Sequence, residues 1–237
     1  MAPQPGELGG QVLVAARDPR GERLAEVVRH LAGQVAKLGV EIRLSTEVSP
    51  AEVERLAPDF VVVATGGRPA PLPLPAEGGP AAVDAAAVLT GAARLGRRVC
   101  VVAGFDGHRA PATLAEMLAQ AGHEVTLISE RALIGESLDP GTNHLLLKRL
   151  FESGVAMHTF TGLAGLSAAG VALYNSLTRE ERILEGVDSV VVMERAAEDS
   201  LYLALEGTRP AVAAGDCIAP RRVLHAVLEG SRAGLIA

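Results

Sequence analysis

The chain is poor in sulfur and in aromatic surface. Its 237 residues include two cysteines, no tryptophan, two tyrosines and four phenylalanines. Cys100 and Cys217 are far apart, and each stands beside an apolar run, so they read as buried thiols rather than a disulfide. No Cys-x-x-Cys occurs. That excludes a redox dithiol and any iron–sulfur cluster held by this chain alone. Aromatics are too few for a platform on which single-stranded nucleic acid would stack. There is no basic run and the net charge is -6, which excludes a phosphate-backbone partner. No apolar run reaches the length of a membrane span. The opening residues, Met1 to Gly6, read as neither signal nor transit peptide. A cytoplasmic setting follows, with neither nucleic acid nor membrane as partner. His30, His108, His123, His144, His158 and His225 are scattered without metal-ligand spacing, so no metal site is expected. No G-x-S-x-G elbow is present, and Asp216 and His225 make no recognisable acid–base pair. No catalytic residue is assigned.

What the chain does have is aliphatic sheet and glycine. Apolar residues make up 49%, with 26 glycines and 14 prolines, as in an α/β protein with a Val-, Ala- and Leu-rich sheet. Leu24, Val27, Val28, Leu31, Val35 and Leu38 predict a helix over 22–38, closed by Gly39. Val40–Leu44 alternates as a strand, Pro50 opens a short helix 51–56, and Phe60–Ala64 is a buried strand running into Gly66-Gly67. Five prolines and two glycines in 68–80 read as a surface crossover. A β-α-β follows: strand 98–103, helix 112–121, strand 124–128. Then come helix 143–153, segments 155–160, 171–177 and 182–184 as a small antiparallel excursion, and strand 189–193. The final helix, 223–235, is expected to turn Leu224, Val227, Leu228 and Leu235 inward. The fold class is therefore α/β, with two Rossmann-like domains of the FAD/NAD(P)-binding type. Residues 1–85 with 208–237 form the outer one, and residues 95–205 are inserted into it.

Near the C-terminus, Val212-Ala213-Ala214 ends in Gly215-Asp216 and a helical pattern follows. A carboxylate at a strand end, before free helix N–H groups, suits a sugar hydroxyl beside a pyrophosphate. The bland reading is a strand–turn–helix with a capping Asp. Arg221-Arg222 reads as solvated surface rather than a phosphate contact. Arg17 is open between a cofactor contact and packing.

Four segments in order resemble one family: Leu8-Gly9-Gly10-Gln11, Ala64-Thr65-Gly66-Gly67-Arg68-Pro69, Ala121-Gly122-His123-Glu124-Val125-Thr126-Leu127, and Gly215-Asp216 with Ala219-Pro220-Arg221, Gly230 and Arg232. They resemble the C-terminal nucleotide-binding region of the NADH:flavin oxidoreductase family, which includes trimethylamine and histamine dehydrogenases and 2,4-dienoyl-CoA reductases. Pro111–Ala119 and Val171–Asn175 favour the amine dehydrogenase branch. The resemblance implies an enzyme whose (β/α)8 barrel, outside this chain, holds FMN beside a 4Fe-4S cluster. An electron-transfer protein accepts its electrons. It also implies that Gly10, Gln11, Ala64, Thr65, Gly66, Gly215 and Asp216 hold ADP or FAD. The outer domain would then lack its first βαβ, with the G-x-G-x-x-G loop, and the chain is expected to be a fragment or a subunit completed by a partner. Two alternatives stand beside this reading: a non-catalytic assembly or docking module with a vestigial nucleotide site, and a part of an NADPH-dependent enoyl reductase.

The inserted domain's loop, Gly104-Phe105-Asp106-Gly107-His108-Arg109, keeps one glycine of a G-x-G-x-x-G. Asp106 sets a carboxylate where a diphosphate would approach, and Arg109 fills the third glycine's place. No tight NAD(P)H binding is expected. Glu130, at the place of a ribose-binding acid, reads as a solvated surface acid.

Overall fold

The computed structural model describes residues 6–71 and 76–237. The N-terminal Met1 to Pro5 and the centre of the proline-rich crossover, 72–75, lie outside the described residues. In chain order the elements are α1 (Gly10–Ala15), α2 (Glu22–Lys37), α3 (Pro50–Leu56), β1 (Val61–Val63), β2 (Gly67–Pro69), β3 (Ala76–Glu77), β4 (Ala81–Asp84) and α4 (Ala85–Leu89). There follow β5 (Arg98–Val102), α5 (Ala110–Gln120), β6 (Glu124–Ile128), α6 (Pro140–Glu152), β7 (Ala156–His158), β8 (Thr161–Ser167), β9 (Gly170–Asn175), β10 (Glu181–Leu184) and β11 (Ser189–Val192). The chain closes with β12 (Arg195–Ala197), α7 (Ser200–Leu205), β13 (Ala211–Ala213) and α8 (Val223–Ile236). The fold is α/β with mixed parallel and antiparallel sheets, the two-domain Rossmann-type architecture.

The chain divides into two compact units. The larger takes Leu13–His30 and the described part of Leu72–Glu194. Its five-stranded sheet has the order β4-β11-β5-β6-β7, with all pairs parallel. The strands read as continuous apolar runs because both faces are covered. Val99 and Val101 of β5 pack with Leu114 and Leu118 of α5 and Leu146 and Leu150 of α6. Their neighbours Cys100 and Val102 point the other way, onto Leu166, Val171 and Leu173 of β8 and β9. That second layer is a sheet of order β10-β9-β8-β3, antiparallel except where β3 pairs with β8, and bulged between Leu163 and Gly165. Pro140 near the start of α6 and the Asp139 carboxylate, which accepts from Thr142 N–H at 3.0 Å, fix that helix start three residues before the expected Asn143.

A polar knot ties residues 18–20 to the helices of this unit. Thr113 Oγ1 donates to the Asp18 carboxylate. The buried Glu116 carboxylate accepts from Arg20 Nη2 at 3.0 Å and Arg149 Nε at 3.2 Å. Burial pushes the Glu116 pKa up, but the two guanidinium bonds outweigh it and hold the carboxyl below its usual range.

The smaller unit takes the described part of Ala2–Val12, with Leu31–Pro71 and Arg195–Ala237. β1 pairs in parallel with β13, from Val61 opposite Ala211 to Val63 opposite Ala213. β2 pairs antiparallel with β12. Its core is small, with Val53, Val63, Leu205 and Cys217 fully covered.

Two expectations fail, and a third gains detail. Val40–Leu44 forms no strand, because no described strand lies beside it to accept its hydrogen bonds, and its apolar side chains stay exposed. The 68–80 crossover is exposed at Arg68, Pro69, Pro71 and Gly78, and it adds the short strands β2 and β3, each with a partner strand. The apolar side of α8 is not inward: Leu224 is 61% exposed and Leu235 82%, while Ala233 is the residue that buries.

Candidate functional site

Parallel pairing sets the carboxyl ends of β1 and β13 side by side, and Ala214 N–H donates to Val63 O at 2.9 Å. Ala64-Thr65-Gly66 leave one strand there and Gly215-Asp216 leave the other. Both turns need positive φ, +78° at Gly66 and +80° at Gly215, which glycine alone adopts freely. Thr65 Oγ1 donates to Glu198 O, and Glu198 N–H returns a bond to Gly66 O at 3.0 Å. Asp216 is half-buried, and its Oδ1 accepts from Arg221 N–H at 3.0 Å. Five of the seven expected residues thus share one sheet end. Gly10 and Gln11 open α1, and among the described residues no hydrogen bond ties them to that end.

Sequence reasoning missed Glu229. Gly215 N–H does not face open space but donates to Glu229 Oε2 at 2.8 Å. Arg221 Nη2 holds the other oxygen at 2.6 Å, so Arg221 is paired rather than freely solvated. The Gly215 N–H first, and Arg221 second, hold the Glu229 carboxyl below the usual range. Glu198 was missed as well; its carboxylate lies 3.3 Å from Arg68 Nε. No motif signals these pairs, because Glu229 is 14 residues and Glu198 133 residues from its partner in the turns. The Gly-Asp turn is a single 3-10 turn, Gly215–Cys217, and α8 starts only at Val223 after an uncapped Arg222. The helix N-terminus therefore does not begin at the Gly-Asp.

The inserted glycine loop, in the larger unit, is tied up by side chains of that unit. Gly104 has φ +57°, and a Cβ built on it would lie 2.9 Å from Glu194 Oε1. Asp106 Oδ1 accepts from His108 N–H at 2.8 Å. Arg131 Nε reaches across to Phe105 O at 2.9 Å. Pro111 removes one N–H from the first turn of α5, and Arg109 gives that helix no side-chain cap. Glu130 is not the solvated acid expected: its Oε2 accepts from Tyr174 Oη at 2.5 Å. That bond and partial burial push the phenol pKa up, while Arg179 lies 5.4 Å over the ring.

Both cysteines are free and buried. Desolvation pushes the Cys100 thiol up to about 12, so it is not a nucleophile at neutral pH. Among the described residues no group of three or more His, Cys, Asp or Glu is placed to hold a metal, and no helix is long and apolar enough to cross a membrane.

Known proteins are similar to this chain in sequence and in fold. The chain is 28% identical to N,N-dimethylglycine/sarcosine dehydrogenase of Chromohalobacter salexigens over 95% of its length and 38% of the relative's. It is 25% identical to a metal reductase of Desulforamulus reducens over 93% of its length and 37% of the relative's. The chain thus spans well under half of the curated relatives it matches. Among solved structures, 2-naphthoyl-CoA reductase superposes with a TM-score of 0.82 at 25% identity, covering 99% of this chain and 35% of that one. Histamine dehydrogenase from Rhizobium sp. 4-9 gives 0.87 at 21% identity, covering 96% and 38%, a likeness of fold. The model of the pyridine nucleotide-disulphide oxidoreductases matches residues 12–194. With its strands and turns in that order over well more than half its length, the chain belongs to the pyridine nucleotide-disulphide oxidoreductase family.

Proposed function

We propose that this chain is the nucleotide-holding part of a flavin-dependent, amine-dehydrogenase-like oxidoreductase. In this reading, residues 1–85 with 208–237 bind ADP or FAD, and residues 95–205 are an inserted domain that has lost its nicotinamide. The observation that carries it is the parallel β1–β13 pair, which brings Thr65, Gly66, Gly215 and Asp216 to one edge. The donor set suits one half of the ligand. Asp216 keeps an oxygen free to accept from a ribose or ribityl hydroxyl, and Thr65 keeps lone pairs. It does not suit the diphosphate: the Gly215 N–H and Arg221 are already taken by Glu229, and a second carboxylate stands beside them. The phosphate cradle, with Gly10 and Gln11 near it, is therefore expected on backbone that pairs with the open edge of β1.

Oxidation of the amine, FMN and the 4Fe-4S cluster belong, in this reading, to a barrel outside the chain, and the partner is an electron-transfer protein in the cytoplasm. A relative named for N,N-dimethylglycine and sarcosine supports the amine class. The alternative of an NADPH-dependent enoyl reductase needs a working nicotinamide loop, and Glu194, Asp106 and Arg131 stand against one. The alternative of a docking module with a vestigial site is favoured by one observation, the capture of Gly215 N–H by Glu229.

Calorimetry with ADP and FAD on the chain joined to its barrel tests the reading. Asp216→Ala should weaken ADP or FAD about tenfold, the worth of a hydrogen bond to a charged group. Unchanged binding in Asp216→Ala, or no nucleotide released on denaturing the wild type, favours the docking module.

A further inference from the structure

A cavity of ≈ 420 Å³ in the larger unit lies at the carboxyl end of β7 and is not part of the nucleotide reading above; it is lined by His158, Thr159, Thr161, Asn175, Glu180 and Arg182, with Met157. Its polar groups keep unused hydrogen-bonding capacity. Asn175 Oδ1 accepts from Leu177 N–H at 2.9 Å and Thr178 N–H at 3.0 Å, which turns its amide NH2 to other partners. Thr161 Oγ1 donates to Thr159 O at 2.8 Å and so keeps lone pairs to accept. Among the described residues, neither Arg182 nor Glu180 makes a side-chain ion pair. They lie two residues apart at the start of β10 and both face the cavity, with about 7 Å between their Cα atoms. A guanidinium and a carboxylate at that spacing, left unpaired with each other, ask for one molecule that bears both an oxyanion and a cation. A phosphate is disfavoured by Glu180, and a simple amine by Arg182 and the imidazole.

We propose that this cavity binds a small aminocarboxylate, its carboxylate between Arg182 and His158 and its ammonium on Glu180. The charged groups lining it are Arg182 and Glu180, and the titrating group is His158. Burial first, and the Arg182 charge second, hold the His158 pKa below its ordinary value. A bound carboxylate offsets the guanidinium and moves that pKa back up, so binding is accompanied by proton uptake.

The test is proton NMR of the His158 Cε1–H in the full chain, assigned with His158→Asn and titrated with 4-aminobutyrate. Butyrate and butylammonium are matched half-ligands. The expected result is a saturable shift with 4-aminobutyrate and a raised His158 pKa. Arg182→Ala should weaken it about tenfold or more, as loss of a charged hydrogen bond does. Glu180→Gln should weaken 4-aminobutyrate while leaving butyrate unchanged. Arg182 is exposed and unpaired, so its replacement should fold, and circular dichroism checks that. No shift at about 50 mM, where a millimolar site is saturated, overturns the proposal. So does a shift that survives Arg182→Ala, or butyrate and 4-aminobutyrate binding equally.

Discussion

In the larger unit, β5 has a strand on each side and covered residues on both faces; in the smaller, β1 has one described partner, β13, and leaves Val62 and the apolar side of α8 exposed. The carboxyl ends differ in the opposite sense. The glycine loop after β5 is closed in by Glu194 and Arg131, whereas the turns after β1 and β13 present an available Asp216 oxygen and an exposed Thr65. One unit is complete as a packed body and closed as a site. The other is thin as a body and open as a site. Burial of a sheet and availability of its edge are thus separate properties, because packing is set by the faces and ligand access by the turns.

The sharpest way to break that comparison is a pair of core truncations. Leu150 on α6 is 0% exposed within the larger core, and Leu150→Ala should cost about 3 kcal/mol in urea unfolding, the mid-range for a buried leucine. Val227 on α8 is 44% exposed, and Val227→Ala should cost about 0.5 kcal/mol or less. Equal losses would mean that α8 is covered in solution and that the two units are not so different.

A smaller effect is expected at Glu116. Its carboxylate is buried and holds two arginines that are themselves partly exposed, so Glu116→Ala should cost about 2 kcal/mol rather than the full penalty of a broken buried pair. The pH dependence carries the same sign. A carboxyl whose folded pKa is depressed stabilises above its unfolded value near 4.5, and that contribution is lost as pH falls through the folded pKa. Acid unfolding of the larger unit should start earlier in wild type than the core would suggest, and Glu116→Gln should flatten the slope below pH 4.5, as followed by circular dichroism. An unchanged slope would assign the acid limb to other groups.

How much of this was legible follows from locality. Arg98–Val102, Glu124–Ile128 and Ser189–Val192 are apolar runs rich in β-branched residues, and all three are inner strands of the parallel sheet. Val40–Leu44 is apolar at alternate positions, yet a strand exists only with a neighbour, and its own residues do not carry that neighbour. The inward side of α8 failed for the same reason: periodicity shows that a helix has an apolar stripe, not that anything covers it. At the sites, Gly66, Gly215 and Asp216 could be read because each acts through its own backbone or strand end. Glu229, Glu198 and Tyr174 could not, because each matters only through a partner 14 to 133 residues away.

A smaller effect than at Glu116 tests whether the closed loop is closed by chemistry or by shape. Tyr174→Phe removes the hydroxyl that bonds Glu130 and keeps the ring under Arg179. The ladder of β8 and β9 is unaffected, and the bond is partly solvated, so stability should fall by only about 1 kcal/mol. Glu130 is then free to accept from a ribose hydroxyl. If Tyr174 alone kept the nucleotide out, NADH titrated by calorimetry should now bind in the micromolar range. The expected result is that it does not, because Glu194 still lies against Gly104, Asp106 still turns its carboxylate toward the loop, and Arg131 still bridges to Phe105 O. Gain of NADH binding in Tyr174→Phe would reduce the contrast between the two units to a single hydrogen bond.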